Sequence, residues 1–241
     1  MEHPERILPP ETSPGILALH LKRYDFALAW AEDAEVLDAG CGAGYGTAHL
    51  ARAGRHVVGL DLSPEALDYA REHYAAANVE YVHGDLASLP FENAAFDLIC
   101  AFETIEHLDD PEAFAAEAAR LLRDGGTLLV STPRAQHTTR MPANPHHRVE
   151  LSAAELERIL HLSFGDVRLL GQRRIQTRRH RVMQRLDAFG LRRRARWLEP
   201  AAMLLGTPPT TQVTLDGIVI EPGELERATE LVAVCSRPLR P

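Results

Sequence analysis

The chain has 241 residues, 45% of them hydrophobic, and a formal net charge of −8, which fits one α/β domain with an ample core. The acidic balance argues against a dedicated nucleic-acid-binding protein. The three cysteines are far apart and lack C-x-x-C spacing, so neither a disulfide framework nor a zinc site is indicated. No run of residues has the length and apolarity needed to span a bilayer, so we expect a soluble, cytoplasmic protein.

The first predicted elements are an amphipathic helix over residues 16–30 and a glycine-rich segment over residues 36–46. In the second segment an apolar run contains Asp38, a turn with four glycines follows, and helical spacing resumes at Thr47. The glycines remove side chains that would hold a ligand away from the backbone, and the helix start offers N–H groups. The pattern therefore predicts a strand, a tight loop that binds a small ligand, and a helix.

The nicotinamide and flavin fingerprint G-x-G-x-x-G does not fit this loop. Starting at Gly40 its third glycine falls on Tyr45, and starting at Gly42 it falls on Thr47. The carboxylate of Asp38, just before the turn, would repel a pyrophosphate and suits a cationic ligand. A glycine-rich turn without a ligand is the alternative interpretation.

The next two predicted strands are followed by acidic residues at the same edge of the sheet. Strand 56–61 ends in Asp61, which lies about 20 residues beyond the glycine turn, where a carboxylate can accept both hydrogen bonds from a ribose diol. Capping the next helix is its alternative role, although Ser63 is placed to do that. After the third strand, Asp85 and Leu86 combine a polar acceptor with an apolar face, as an adenine ring requires.

Alternation of strands and helices continues towards the carboxyl end of the chain. The pattern predicts strands at 98–102, 127–133, 166–170 and 230–236 and helices at 111–123 and 153–162. Such alternation predicts a parallel sheet with right-handed crossovers, in which ligands bind at the carboxyl ends of the strands.

The glycine loop, the Gly84-Asp85 pair and the phrase LPFENAAFDLI at 89–99 resemble the class I S-adenosylmethionine-dependent methyltransferases. The resemblance implies an α/β, Rossmann-like fold with a seven-stranded, mostly parallel sheet and an antiparallel last strand between the fifth and sixth. It implies one methyltransferase domain. Its predicted parts are a helical N-terminal cap (1–34), a cofactor-binding core (35–171), an arginine-rich helical lid insertion (172–214) and a C-terminal strand (215–241).

S-adenosylmethionine is the cofactor that the resemblance implies, and its ammonium and sulfonium suit the acids at the strand ends. In similar methyltransferases the N-terminal helix packs over the cofactor. There an arginine–tyrosine pair such as Arg23-Tyr24 can approach the methionine carboxylate. The alternative is that Tyr24 only packs and Arg23 is solvated. The predicted cofactor-binding residues are Tyr24, Asp38, Gly40, Cys41, Gly42, Asp61, Leu62, Asp85, Leu86 and Phe102.

The segment after the fourth strand contains Glu103, Glu106 and His107, which a helical turn would place on one face at i, i+3 and i+4. Two carboxylates and an imidazole so close together would favour a divalent cation. The segment is similar to the metal-binding segment of the ubiquinone-biosynthesis O-methyltransferases and of the small-RNA 3′-terminal 2′-O-methyltransferases. That likeness implies a Mg²⁺ or other divalent site formed by Glu103, Glu106, His107 and His147. Base catalysis by His107, assisted by Glu106, and a purely structural role are the alternatives.

Residues 173–196 contain ten arginines and one acid, Asp187, with apolar residues at roughly helical spacing. A solvated basic face is one interpretation, and a lid that grips an anionic group of the acceptor is another. Contact with an acidic carrier protein, anionic lipid or nucleic acid is the third. In the similar family a lid at this place usually determines the choice of acceptor.

The resemblance predicts an enzyme that transfers a methyl group to a hydroxyl of a small molecule, such as a sugar or phenol in bacterial secondary metabolism. Divalent-metal assistance is part of this hypothesis, and the acceptor is expected to be a small molecule, with an anionic one as an option. N-methylation of an amino sugar or amine is the alternative. RNA 2′-O-methylation ranks below both, because the chain is acidic and no separate RNA-binding domain is predicted. A non-catalytic S-adenosylmethionine-binding partner of another enzyme also ranks below both, because Asp38, Asp61 and His107 are all present. Neither a membrane nor a nucleic-acid partner is expected.

Overall fold

The computed structural model describes residues 7–175 and 213–239, which form an eight-stranded sheet with five α-helices. The strands are β1 (Glu35–Ala39), β2 (His56–Asp61), β3 (Val79–His83), β4 (Phe96–Phe102), β5 (Leu122–Pro133), β6 (Phe164–Arg174), β7 (Ile218–Glu221) and β8 (Glu230–Pro238). The helices are α1 (Pro14–Ala31), α2 (Tyr45–Leu50), α3 (Pro64–His73), α4 (Pro111–Leu121) and α5 (Ala153–His161). None of these helices has the length and apolarity that a membrane crossing needs.

The strands lie in the order β3-β2-β1-β4-β5-β8-β6-β7. Strands β1 to β5 pair in parallel, and β8 pairs antiparallel with both β5 and β6. The predicted Rossmann-like fold and the insertion of the last strand between the fifth and sixth are confirmed. Because Asp38 of β1 pairs with Gly59 of β2 and Cys100 of β4, the segments that follow these strands meet at one edge.

Alternate residues of the central strands enter two apolar clusters on opposite faces of the sheet. In β1, Leu37 belongs to the larger cluster with residues of α4 and α5, whereas Val36 belongs to the cluster formed with α1. Tyr24 and Ala27 of α1 contribute to that second cluster. Burial on both faces explains why these strands are continuously apolar in the sequence. Packing on one of these faces places α1 beside the edge at which the parallel strands end.

The eighth strand, β7, was not among the seven predicted. It pairs antiparallel with Gly171–Arg174 at the carboxyl end of β6, which itself extends beyond the predicted strand 166–170. Gln172 is fully buried, so the first residues of the predicted insertion belong to the sheet. The predicted basic helix and most of the arginine-rich segment lie outside the described residues.

Helix α4 ends earlier than predicted. It stops at Leu121, and the next residues already belong to β5, where Leu122 pairs with Phe96 before a register shift. Gly125, with φ of +81°, therefore accommodates an irregular stretch of β5 and does not terminate the helix. The pairing with β4 takes precedence over the local glycine signal.

Candidate functional site

The glycine loop joins β1 to α2 and lies over a cavity. Gly42 has φ of +53°, and its N–H donates a hydrogen bond of 2.8 Å to Oδ2 of Asp61. A Cβ on Gly42 would have no heavy atom within 4 Å, so the space above the loop is open. A side chain at this position would occupy the room that a ligand could use.

The cavity has a volume of about 570 Å³, within the range of about 300–1,000 Å³ of ordinary ligand pockets. It lies at the carboxyl ends of the parallel strands. The predicted cofactor-binding residues that line it are Tyr24, Gly40, Cys41, Gly42, Asp61, Leu62, Asp85, Leu86 and Phe102. These residues come from five separate segments of the chain, which the fold brings to one cavity.

Asp38 is the predicted cofactor-binding residue that does not line this cavity. Its side chain is buried, and it accepts hydrogen bonds from the Tyr24 hydroxyl at 3.2 Å and from Thr47 Oγ1 at 2.7 Å. Burial raises the pKa of Asp38 to about 7, against the lowering effect of these two bonds. In this structure Asp38 supports the loop from below.

Asp61 closes the glycine loop against the start of α3. Its two carboxylate oxygens accept hydrogen bonds from the N–H groups of Gly42 and Ser63, at 2.8 and 2.9 Å. Ser63 caps α3 by accepting a bond from the N–H of Ala66, so the capping role belongs to the serine as predicted. Each Asp61 oxygen keeps a second lone pair for a ligand. The neighbouring Leu62 is 63% exposed and offers an apolar surface at the cavity.

Tyr24 both lines the cavity and packs against aromatic rings. It makes edge-to-face contacts with Tyr45 and Phe102, with ring centroids 5.8 and 5.1 Å away. Gly46 makes this packing feasible, because a Cβ there would lie 2.0 Å from Cζ of Tyr24. Both of the roles considered for Tyr24 are therefore compatible with its position. Arg23 is 1% exposed and does not line the cavity, so the solvated alternative for Arg23 is wrong.

The other end of the cavity is lined by residues from several elements. Glu103 and His107 follow β4. His20, His146 and Arg148 also line the cavity, although no role was predicted for them. His20 lies about one helical turn before Tyr24. This i, i+4 spacing could have indicated that His20 faces the same cavity as Tyr24.

The segment after β4 does not form the predicted helical turn. A short 3-10 helix spans Ile105–His107, and Glu103 precedes it with φ of +53°, in the left-handed region. The Glu103 carboxylate accepts a hydrogen bond of 2.8 Å from Ser131 Oγ and lies 3.8 Å from Arg23 Nη1. The expected one-face arrangement of Glu103 with Glu106 and His107 is therefore wrong.

Three of the four predicted metal ligands do lie together. Ligand atoms of Glu106, His107 and His147 lie within 4.8 Å of one another, and the two imidazole rings are 5.1 Å apart. The carbonyl oxygen of Glu106 accepts hydrogen bonds from the N–H groups of Arg148 and Val149, at 2.8 and 3.1 Å. These two bonds hold the loop that carries His147 against the 3-10 helix.

Glu106 is 1% exposed, and its Oε2 has no hydrogen-bond partner within the described part of the chain. Burial and the nearby Glu103 carboxylate raise the pKa of Glu106 well above its ordinary value. A buried acceptor of this kind is costly unless a proton or a cation satisfies it. The carboxylate and two imidazoles form a donor set that a divalent cation can use.

Residues 37–130 match the family model described as a methyltransferase domain. Together with the fold and the loop geometry, this match decides the family. The chain carries a class I S-adenosylmethionine-dependent methyltransferase domain. The matched stretch runs from β1 into β5, so the family model covers the glycine loop, Asp61 and Asp85 but neither α1 nor the loop that carries His147.

Curated relatives of this methyltransferase domain match only part of the chain. A probable S-adenosylmethionine-dependent methyltransferase of Mycolicibacterium smegmatis is 42% identical over 136 residues, 55% of this chain and 52% of that protein. A ubiquinone biosynthesis O-methyltransferase of Xylella fastidiosa is 43% identical over 102 residues, 41% of this chain and 42% of that protein. The chain therefore spans about half the length of the curated relatives it matches.

Solved structures share the fold of the domain at low sequence identity. A methyltransferase of Thermotoga maritima, described as a possible histamine N-methyltransferase, has a TM-score of 0.62 at 16% identity and covers 91% of both chains. The cyclase SpnF has a TM-score of 0.60 at 19% identity and covers 100% of this chain and 89% of its own. Because this methyltransferase fold also occurs in a protein described as a cyclase, the fold alone does not determine the reaction.

Proposed function

We propose that the protein is an S-adenosylmethionine-dependent methyltransferase that methylates a hydroxyl group of a small molecule. The observation that carries the proposal is the single cavity that the glycine loop, Asp61 and the Asp85-Leu86 pair share with Glu103 and His107. One end has the groups that an adenosine and a cationic donor require, and the other has carboxylate and imidazole groups for an acceptor.

The residues present fit the cofactor. Gly42 leaves open space over the loop where a Cβ would stand, and Asp61 offers carboxylate lone pairs to a ribose diol. Leu62 and Leu86 supply apolar surface for an adenine, with Asp85 beside them. When bound, S-adenosylmethionine supplies an electrophilic methyl group on a positively charged sulfur. The chain's main contribution is then to align the acceptor oxygen with that methyl group and to exclude water.

The preference for oxygen rests on the residues at the acceptor end. Nδ1 of His107 lies 3.0 Å from the carbonyl oxygen of His146, which can only accept, so Nδ1 carries the proton. In the neutral ring the lone pair is then on Nε2, where it can take a proton from an acceptor hydroxyl or bind a cation. The ubiquinone O-methyltransferase relatives, matched over about 100 residues, support the same preference.

The proposal includes assistance of methyl transfer by a divalent metal ion. Glu106, His107 and His147 would hold the cation, whereas Glu103 is engaged by Ser131 and Arg23. A divalent cation bound there would lower the pKa of an acceptor hydroxyl and orient its oxygen. In the absence of a cation, His107, which lines the cavity and has its lone pair on Nε2, would act as the base.

Cofactor binding is tested by thermal unfolding with S-adenosylmethionine, S-adenosylhomocysteine and NAD. Each of the first two, present well above its dissociation constant, should stabilise the protein by roughly 2–4 kcal/mol, and NAD should have no effect. A shift with NAD alone, or no shift with either sulfur compound, would refute the proposal.

The acceptor atom and the cation are tested by transfer of a labelled methyl group to a panel of phenols, sugars and amines. We expect labelled ethers, and a loss of activity after thorough chelation or in Glu106→Gln. The matched control is His137→Asn, an exposed histidine of the same loop that is outside the three-residue group. Full activity after chelation would refute the cation and leave His107 as the base, while labelled amines alone would refute the hydroxyl preference.

A further inference from the structure

Arg23 of α1 is 1% exposed and does not line the cavity, yet two of its partners do. Its Nη2 lies 3.0 Å from Nδ1 of His20, and its Nη1 lies 3.8 Å from Oε1 of Glu103. Nη1 also donates to Oε1 of Gln172, whose Nε2 donates to the carbonyl oxygen of Leu19. Contacts with α1, with the residue that follows β4 and with β6 therefore hold one buried guanidinium against two side chains of the cavity wall.

The contact with Arg23 fixes the tautomer of His20. A guanidinium has donors and no acceptor, so Nδ1 of His20 must accept and the ring proton must be on Nε2. Burial and the positive charge of Arg23 lower the pKa of His20 to about 3, so the ring is neutral near pH 7. His20 therefore presents an N–H donor on the edge of its ring that points away from Arg23.

Glu103 is held in a complementary way. Oε1 accepts a hydrogen bond from Ser131 Oγ, and it is also the oxygen that faces Arg23. The Glu103 N–H donates to Ser131 as well, which fixes the backbone in its left-handed conformation with φ of +53°. The side chain is 22% exposed and lines the cavity, so it presents a carboxylate acceptor there.

We propose that Arg23 is a positioning residue that orients a donor–acceptor pair, His20 Nε2–H and the Glu103 carboxylate, for a hydroxyl group of the methyl acceptor. This inference rests on the proposed function and names the chemistry of its acceptor. A hydroxyl can accept from His20 and donate to Glu103 at the same time. A carboxylate cannot donate to Glu103, and an ammonium cannot accept from His20, so the pair selects against both.

The first test is the ring ¹⁵N spectrum of His20 in the full chain with bound S-adenosylhomocysteine. We expect the Nε2–H tautomer with no titration between pH 5 and 8, and loss of this behaviour in Arg23→Met. Lys22→Met, which removes the neighbouring cation of α1, is the matched control and should leave His20 unchanged. A charged ring or an Nδ1–H tautomer in the unmodified protein would overturn the proposal, even if Arg23→Met does not fold.

The second test uses phenol, benzoate and benzylammonium as probes of the same complex. Phenol should shift the His20 Nε2 resonance. Benzoate and benzylammonium should each bind at least about tenfold more weakly than phenol, because each leaves one member of the pair without a hydrogen-bond partner. Glu103→Gln replaces the carboxylate with a group that can donate, so benzoate should then approach phenol. Equal binding of phenol and benzoate to the unmodified protein, or no shift with phenol, would overturn the recognition of a hydroxyl.

The two failures are distinguishable. If S-adenosylhomocysteine fails to stabilise the protein, the proposed function is refuted, whereas the tautomer of His20 can still be measured without it. If S-adenosylhomocysteine binds but the tautomer of His20 or the order of the three probe affinities differs from the expectation, only the positioning role of Arg23 is refuted.

Discussion

A substitution at Gly46 gives the sharpest quantitative prediction, because its effect on stability comes from side-chain packing and not from backbone strain. It lies in α2 with an ordinary φ, so alanine is allowed by the backbone there. A Cβ would nevertheless lie 2.0 Å from Cζ and 2.4 Å from Oη of Tyr24. Gly46→Ala should therefore displace the Tyr24 ring and weaken its hydrogen bond to the buried Asp38.

The size of the effect follows from opposing contributions. Alanine in a helix gains about 0.5–1 kcal/mol over glycine. Overpacking costs roughly 1–3 kcal/mol, and disturbing the hydrogen bond to a buried acceptor costs about 1–3 kcal/mol more. Gly46→Ala should thus lower the free energy of unfolding by about 1–5 kcal/mol. It should also weaken S-adenosylmethionine binding, because Tyr24 lines the cavity.

Urea unfolding measures the first quantity and isothermal titration the second. Gly217→Ala is the matched control, since its Cβ would meet nothing closer than 3.7 Å, and it should change stability by less than about 0.5 kcal/mol. In a Tyr24→Ala background the same Gly46→Ala change should become neutral or stabilising. An equal loss of stability in both backgrounds would show that the Tyr24 ring is not the cause.

Three further outcomes are expected. Because burial raises the pKa of Asp38 to about 7, the folded chain binds this proton more tightly than the unfolded chain, so stability should fall as the pH rises from about 4 to 7. Asp38→Asn should flatten that dependence in urea unfolding at several pH values, and an unchanged slope would contradict it. Gly42→Ala and Gly125→Ala both place a Cβ at positive φ with open space around it, so each should lose about 1–2 kcal/mol. Only Gly42→Ala should weaken S-adenosylmethionine binding in titration calorimetry, and equal binding by both variants would refute the placement of the cofactor. Asp61→Asn should weaken that binding about 10–100-fold, through the loss of a charge-assisted acceptor, and unchanged affinity would exclude Asp61 from the site.

The placement of the glycine loop and the acids beside it could be predicted because its signals are local. Gly42 and the Ser63 cap depend on the conformation of a few neighbouring residues, and the alternation of strands and helices determines that the sheet is parallel. Parallel strands with right-handed crossovers end at one edge, so Asp61 and Asp85 had to lie near the glycine loop.

The orientation of Asp38 could not be deduced from its place at the strand end alone. Its side chain shares a face of β1 with Val36, and that face packs against α1, where Tyr24 donates to it. Strand alternation could have indicated the face, but the donors come from α1 and α2. A buried carboxylate is oriented by whichever donors the tertiary packing supplies.

Glu103 differed from its prediction for a similar reason. The i, i+3, i+4 spacing assumed a helical turn. Instead, Ser131 Oγ of the adjacent β5 accepts a hydrogen bond from the Glu103 N–H and donates one to the Glu103 carboxylate. Strand β7 was missed because four residues give too short a pattern, and it forms only by pairing with the end of β6. In both cases a partner distant in sequence determined the local conformation.

Helix α1 determines the polarity of both ends of the cavity. Tyr24 donates a hydrogen bond to Asp38 under the glycine loop. Its neighbour Arg23 contacts His20, one turn earlier in α1, and Glu103, and so orients these two side chains at the other end of the cavity. The family model begins at residue 37, so His20, Arg23 and Tyr24 of α1 all lie outside the matched stretch. Proteins that match the model equally well can therefore differ in the acceptors they bind, and exchanging α1 between them should change acceptor choice before it changes the cofactor.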